Sequence, residues 1–148
     1  MKEIRVLCVN ETGLGGTILS GPVMTRLGIE IPYVKHDNPQ DNVCYLPDFK
    51  EKVDSGKYQL VLILEMASRG DDSPRKPQFI FPHPINEHCA NSLEMAEYAI
   101  QKGLKAIIWS DEKGVQEVAK NLGAKVINSK PDDLGTAALK AFRELYPD

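Results

Sequence analysis

Leu60-Val61-Leu62-Ile63-Leu64 is an unbroken apolar run that lacks both the alternation of a half-exposed strand and the length of a helix. It reads as a strand covered on both faces, and Ala106-Ile107-Ile108 repeats the pattern. A sheet built from such strands needs a helical layer on each side. Further strands are predicted over residues 4–10 and 78–82, with the apolar runs extending to 58–65 and 104–109. Residues 29–35 read as another strand, placed at an edge because Pro32 has no amide to donate, and 124–128 as a last edge strand.

Between these segments the period shifts to that of helices. Leu93, Ala96, Ala99 and Ile100 follow a capping box formed by Asn91 and Glu94. Asp111 is positioned to cap a helix whose apolar stripe, Val115, Val118, Ala119 and Leu122, stops at Gly123. Asp132 or Asp133 precedes a final helix carrying Leu134, Ala137, Ala138, Ala141, Phe142 and Leu145. A short helix is predicted over 46–53 with Pro47 in its first turn, and Asp54-Ser55-Gly56-Lys57 reads as the turn that follows. Trp109 and Phe142 fall on these patterns as packing residues. The expected fold is a single α/β domain over 1–148, three-layered and Rossmann-like or flavodoxin-like, with a mostly parallel sheet of five or six strands. Residues 66–77 form a polar, proline-bearing connection and a candidate lid. The strand at 78–82 is read as parallel, with an antiparallel return as the alternative; the two send His83 to opposite ends of the sheet.

Composition restricts the function classes. A net charge of -3 argues against nucleic acid as the main partner. Apolar runs fall short of the roughly 20 residues needed to span a bilayer, and a signal-peptide pattern is absent, so a cytoplasmic protein without a membrane partner is expected. Cys8, Cys44 and Cys89 are widely separated and form no CxxC pair, which suits free thiols, with Cys8 inside a strand. Short edge strands make a homo-oligomer conceivable.

The chemistry points to the end of the first strand. Asn10-Glu11-Thr12-Gly13-Leu14-Gly15-Gly16-Thr17 reads as a glycine-rich loop in which Gly13, Gly15 and Gly16 permit close backbone approach. Thr12 and Thr17 add hydroxyls, and a following helix terminus would favour a phosphate or carboxylate. The dinucleotide pattern G-x-G-x-x-G fails at Ile18, and the P-loop lysine is replaced by Thr17. Pro22 marks either a helix start near Gly21 or a kink. Asp37, beside His36, is placed to reach a ribose hydroxyl.

Glu11, Glu65, His83 and Asp111, like His36 and Asp37, fall beside predicted strand ends. His83-Pro84-Ile85-Asn86-Glu87-His88-Cys89 gathers two histidines, an acid and a thiol, though its spacing matches no defined metal motif. The leading expectation is a protein that binds a small anionic or phosphorylated molecule at Thr12, Gly13, Gly15, Gly16 and Thr17, in a cleft completed by some of Asp37, Glu65, His83, His88 and Asp111; no particular cofactor is specified. One alternative is an enzyme in which His83, His88 and Glu11 carry acid–base or metal-assisted chemistry. A noncatalytic structural or assembly protein is the other.

Overall fold

The computed structural model of the chain describes residues 3–9, 14–37, 45–64, 87–110 and 112–147, with backbone alone at 14–19, 87–89 and 131. The elements run β1 (Ile4–Val9), α1 (Leu14–Glu30), β2 (Val34–His36), α2 (Leu46–Asp54), β3 (Leu60–Ile63), α3 (Glu87–Gln101), β4 (Lys105–Trp109), α4 (Lys113–Leu122), β5 (Lys125–Ile127), a 3-10 turn at Pro131–Asp133, and α5 (Leu134–Leu145). The described strands form one parallel five-stranded sheet in the order β2-β1-β3-β4-β5.

Strand alternation divides the core into two layers. Ile4, Val6 and Cys8 of β1, with Leu60 and Leu62 of β3, face Val23, Met24 and Leu27 of α1 and Phe142 of α5. Leu7, Val9, Val61 and Ile63 face the opposite way, toward Phe49 of α2, Leu93 and Ala96 of α3, and Val115 of α4. The four residues of β3 are fully buried, which explains why their sequence lacks alternation. This is the expected three-layer α/β architecture. Among the described residues, no helix is long and apolar enough to cross a membrane.

Local chemistry fixes the junctions. Pro47 sits in the first turn of α2, where a missing amide costs no helical hydrogen bond. Gly123 ends α4 with φ +98, and its amide donates to the Ala119 and Lys120 carbonyls. Trp109 is half-buried against the α1/α5 layer and donates its Nε1 hydrogen to the Ser129 carbonyl at 2.9 Å.

Three boundaries differ from the sequence expectation. The segment expected as a strand over 29–35 begins as helix, because α1 continues to Glu30; a turn through Pro32 and Tyr33 then delivers the three-residue β2. Asn91 does not start α3. The helix begins at Glu87, so Asn91 lies in its second turn, 2% exposed, and His88 and Cys89 belong to its first turn. Pro22 lies inside α1, which starts at Leu14 rather than near Gly21. The expected strand over 78–82, the connection over 66–77, Cys44 and the Asp111 cap lie outside the described residues.

Candidate functional site

The strand order reverses at one point. From β1 the chain turns outward to β2 on one side, whereas from β3 it proceeds through β4 to β5 on the other. The neighbouring carboxyl ends of β1 and β3, at Val9 and Ile63, therefore border the crevice where open α/β sheets generally receive ligands. Helix α1 leaves from β1 on one face and α3 from the β3 connection on the other. Both helices begin on the carboxyl side of the sheet.

Only residues 10–13 separate β1 from α1. Leu14, Gly15, Gly16 and Thr17 consequently belong to the first turn of α1, not to a long loop before it. First-turn amides have no acceptor within their own helix, so glycine there costs little cooperativity while leaving N–H groups accessible. That turn carries no acidic residue, and the positive end of the 17-residue helix is not neutralised by a first-turn carboxylate. Glu11, Thr12, Gly13 and His83 lie outside the described residues, as does the His88 side chain.

The buried polar side chains follow the same polarity. Ser20 is in the second turn of α1, Asn91 and Ser92 are in the second turn of α3, and Ser110 directly follows β4; each is at most 2% exposed. All four stand in the carboxyl-side half of their surroundings. Ser110 organises the β4–α4 junction. Its Oγ accepts the Glu112 amide at 3.1 Å, and its carbonyl accepts Gln116 Nε2 at 2.6 Å. A serine three residues before a helix was the available sequence signal for this junction.

Asp37 has a different setting. Val6 pairs with both His36 and Leu60, so β2 ends level with the beginning of β3. The carboxyl end of β1 lies three residues further on, about 10 Å at the usual strand rise. One Asp37 carboxylate oxygen accepts from Arg5 Nη1 at 3.1 Å, and the other accepts the Tyr58 hydroxyl. Lys52 Nζ stands 3.9 Å from that second oxygen. Burial, reinforced by the hydrogen bond and negative charge of Asp37, pushes the Tyr58 phenol up to about 12, with Arg5 opposing the shift. Asp37 is thus committed to a clasp joining β1, β2 and the approach to β3. His36, next to it, turns Nδ1 toward the Asp37 carbonyl at 2.8 Å and sets its ring beside Gly28 of α1.

A cavity of about 650 Å³ opens at the opposite, amino end of the sheet. Asp54, Tyr58, Lys102, Lys105 and Tyr146 line it. Its polar groups tie neighbouring elements together: Tyr98 donates to Asp54 at 2.6 Å, Lys102 pairs with Asp54 at 3.6 Å, and Lys105 donates to the Leu145 carbonyl at 2.9 Å. Such contacts join helix ends to the sheet but converge on no reacting centre. Burial pushes the Cys8 thiol up to about 12, leaving a neutral packing group on the α1 side of β1. Among the described residues, no three His, Cys, Asp or Glu side chains gather to hold a metal ion. No family model matches this chain, and no curated protein matches it in sequence.

Proposed function

We propose that the chain binds a small anionic or phosphorylated molecule at the amino terminus of α1, in the crevice between the ends of β1 and β3. The observation carrying this reading is the four-residue connection that brings a glycine-rich, acid-free first helical turn to the point where strand order reverses. Backbone amides of Gly13, Gly15, Gly16 and Thr17 would bind the anion, assisted by the helix dipole and by the Thr12 and Thr17 hydroxyls.

A titration of the isotope-labelled chain with inorganic phosphate, against chloride at equal ionic strength, tests the site by amide NMR. Phosphate-specific shifts are expected at Gly15, Gly16 and Thr17. A Gly15→Glu variant puts negative charge at the same turn and should abolish those shifts while keeping the fold. Shifts confined to Lys102 and Lys105 would move the site to the amino-end cavity and refute the proposal.

A second reading is favoured by His88, which stands in the first turn of α3 on the other side of the same reversal. There it would serve as an acid or base toward the bound molecule, with His83 and Glu11 as the other candidates. Comparing turnover of phosphate-bearing substrates by the natural chain and His88→Ala separates this enzyme reading from simple binding.

A further inference from the structure

Two helix-to-strand turns meet at the amino end of the sheet. Ser55-Gly56-Lys57 follows α2, and Lys102-Gly103-Leu104 follows α3. Each turns on a glycine in the left-handed region, Gly56 at φ +76 and Gly103 at φ +90, where a side chain would be strained. An ideal Cβ at either glycine meets nothing within 4 Å, so the space beside both turns is open. Both glycines line the cavity of about 650 Å³, a volume within the range of small-molecule sites.

The lining combines hydrocarbon with an excess of positive charge. Val53 and Tyr58 supply buried walls, and Leu104 and Tyr146 supply half-buried ones. Among the described residues, Lys102 and Lys105 stand there against one carboxylate, that of Asp54. Asp54 Oδ1 already accepts the Tyr98 hydroxyl at 2.6 Å and lies 3.6 Å from Lys102 Nζ, between side chains that are both about half exposed. Solvent screens such a pair, so it holds Lys102 weakly. Lys105 Nζ donates to the Leu145 carbonyl at 2.9 Å and lies 4.4 Å from the Tyr146 ring centroid; neither contact neutralises its charge. An ammonium carries three N–H donors, and the carbonyl takes one.

We propose that this cavity binds a small organic di- or tricarboxylate. Lys102 and Lys105 each hold one carboxylate, and the carbon skeleton between them rests on Leu104 and the Tyr146 ring. More than one charge is selected because two ammonium groups flank the same Gly103 turn, three positions apart in sequence. Carbon is selected because the walls between those groups are apolar. A metal cation is disfavoured, since the lining carboxylate is already engaged. This site stands at the end of the sheet opposite the crevice between β1 and β3 and is independent of any ligand there.

Citrate serves as the probe. Calorimetric titration of the full chain with citrate, against inorganic phosphate and chloride at equal ionic strength, measures the affinity, and amide NMR locates the site. Citrate should bind severalfold more tightly than phosphate and shift the amides of 56–57 and 102–105. Lys102→Gln and Lys105→Gln should each weaken citrate binding about tenfold, because each removes a hydrogen bond between charged groups. Lys105→Arg keeps the charge and should retain most of the affinity. Lys120→Gln removes an equal charge from the exposed face of α4 and should leave binding unchanged.

Absence of citrate binding would overturn the proposal, as would equal losses in Lys120→Gln and Lys105→Gln. Phosphate bound as tightly as citrate at the same amides would overturn the choice of an organic carboxylate. Citrate shifts confined to amides 15–17 would place the anion at the first turn of α1 and reject the amino-end site.

Discussion

Replacing Tyr58 with phenylalanine tests the clasp around Asp37 without changing the shape of the core. The Tyr58 ring is 6% exposed, so Phe keeps its packing and deletes the hydroxyl donated to the Asp37 carboxylate. A hydrogen bond to a charged acceptor is worth about 1.5–3 kcal/mol, and solvent reaching Asp37 favours the lower end. Tyr58→Phe should therefore lower stability by about 1.5 kcal/mol at pH 7, or about 3–6 °C in Tm for a domain of this size. The cost should also change with pH. The folded phenol is raised to about 12 from an ordinary value of 10. Its contribution is consequently present below pH 10 and lost as pH rises toward 12, because the unfolded chain releases this proton first. At pH 11 the loss reaches about 1.4 kcal/mol, enough to bring the stability difference between Tyr58→Phe and the natural chain close to zero. Urea unfolding of both proteins at pH 7, 9, 10 and 11 provides the measurement. Cys8 titrates in the same alkaline range but is common to both chains, so its contribution cancels. A negligible cost at pH 7, or one that stays constant to pH 11, would refute the clasp as a stabilising element.

Two more substitutions test the packing and the helix ends. Phe142→Ala empties a fully buried site between α5 and the sheet and should cost about 3–5 kcal/mol by chemical denaturation, provided the neighbouring Tyr33 and Tyr146 rings do not collapse into the space. The glycines of two helices should respond with opposite signs. Gly123→Ala, at φ +98, should destabilise by about 1 kcal/mol, whereas Gly28→Ala inside α1 should stabilise by about 0.4–1 kcal/mol because its new methyl meets the His36 ring at an ordinary 3.5 Å; thermal unfolding distinguishes them.

The elements whose local signals agree with their tertiary setting were legible in the sequence. The uninterrupted apolar run of β3 identifies a strand buried on both faces, and Gly123 terminates α4 through its own backbone geometry. Asn91 misled because the capping pattern does not exclude earlier helical residues; α3 extends back through His88 to Glu87. The glycines after β1 resembled a loop because their intrinsic propensity is low, yet a helix tolerates them in its first turn. Asp37 could be read as a polar residue after a strand, but its partners could not. Arg5 is 32 positions away and Tyr58 is 21, and they meet only because the parallel register aligns Arg5 with Lys35. The position of the candidate crevice was thus more legible than the choice of carboxylate facing it.

The central place of β1 bears on how the chain emerges during synthesis. Although β1 is made before the other described strands, one of its edges pairs with β3, and Val6 must wait for Leu60, 54 residues later. At roughly 5–20 residues per second, that interval is about 3–10 s. Helix α1 and β2 can form beside β1 in the meantime, but the second edge, including buried Leu7, Cys8 and Val9, has no native strand to meet. A nascent chain of this topology therefore presents an apolar pairing edge before its own complement exists, placing a demand on ribosome-associated protection that the finished protein no longer has.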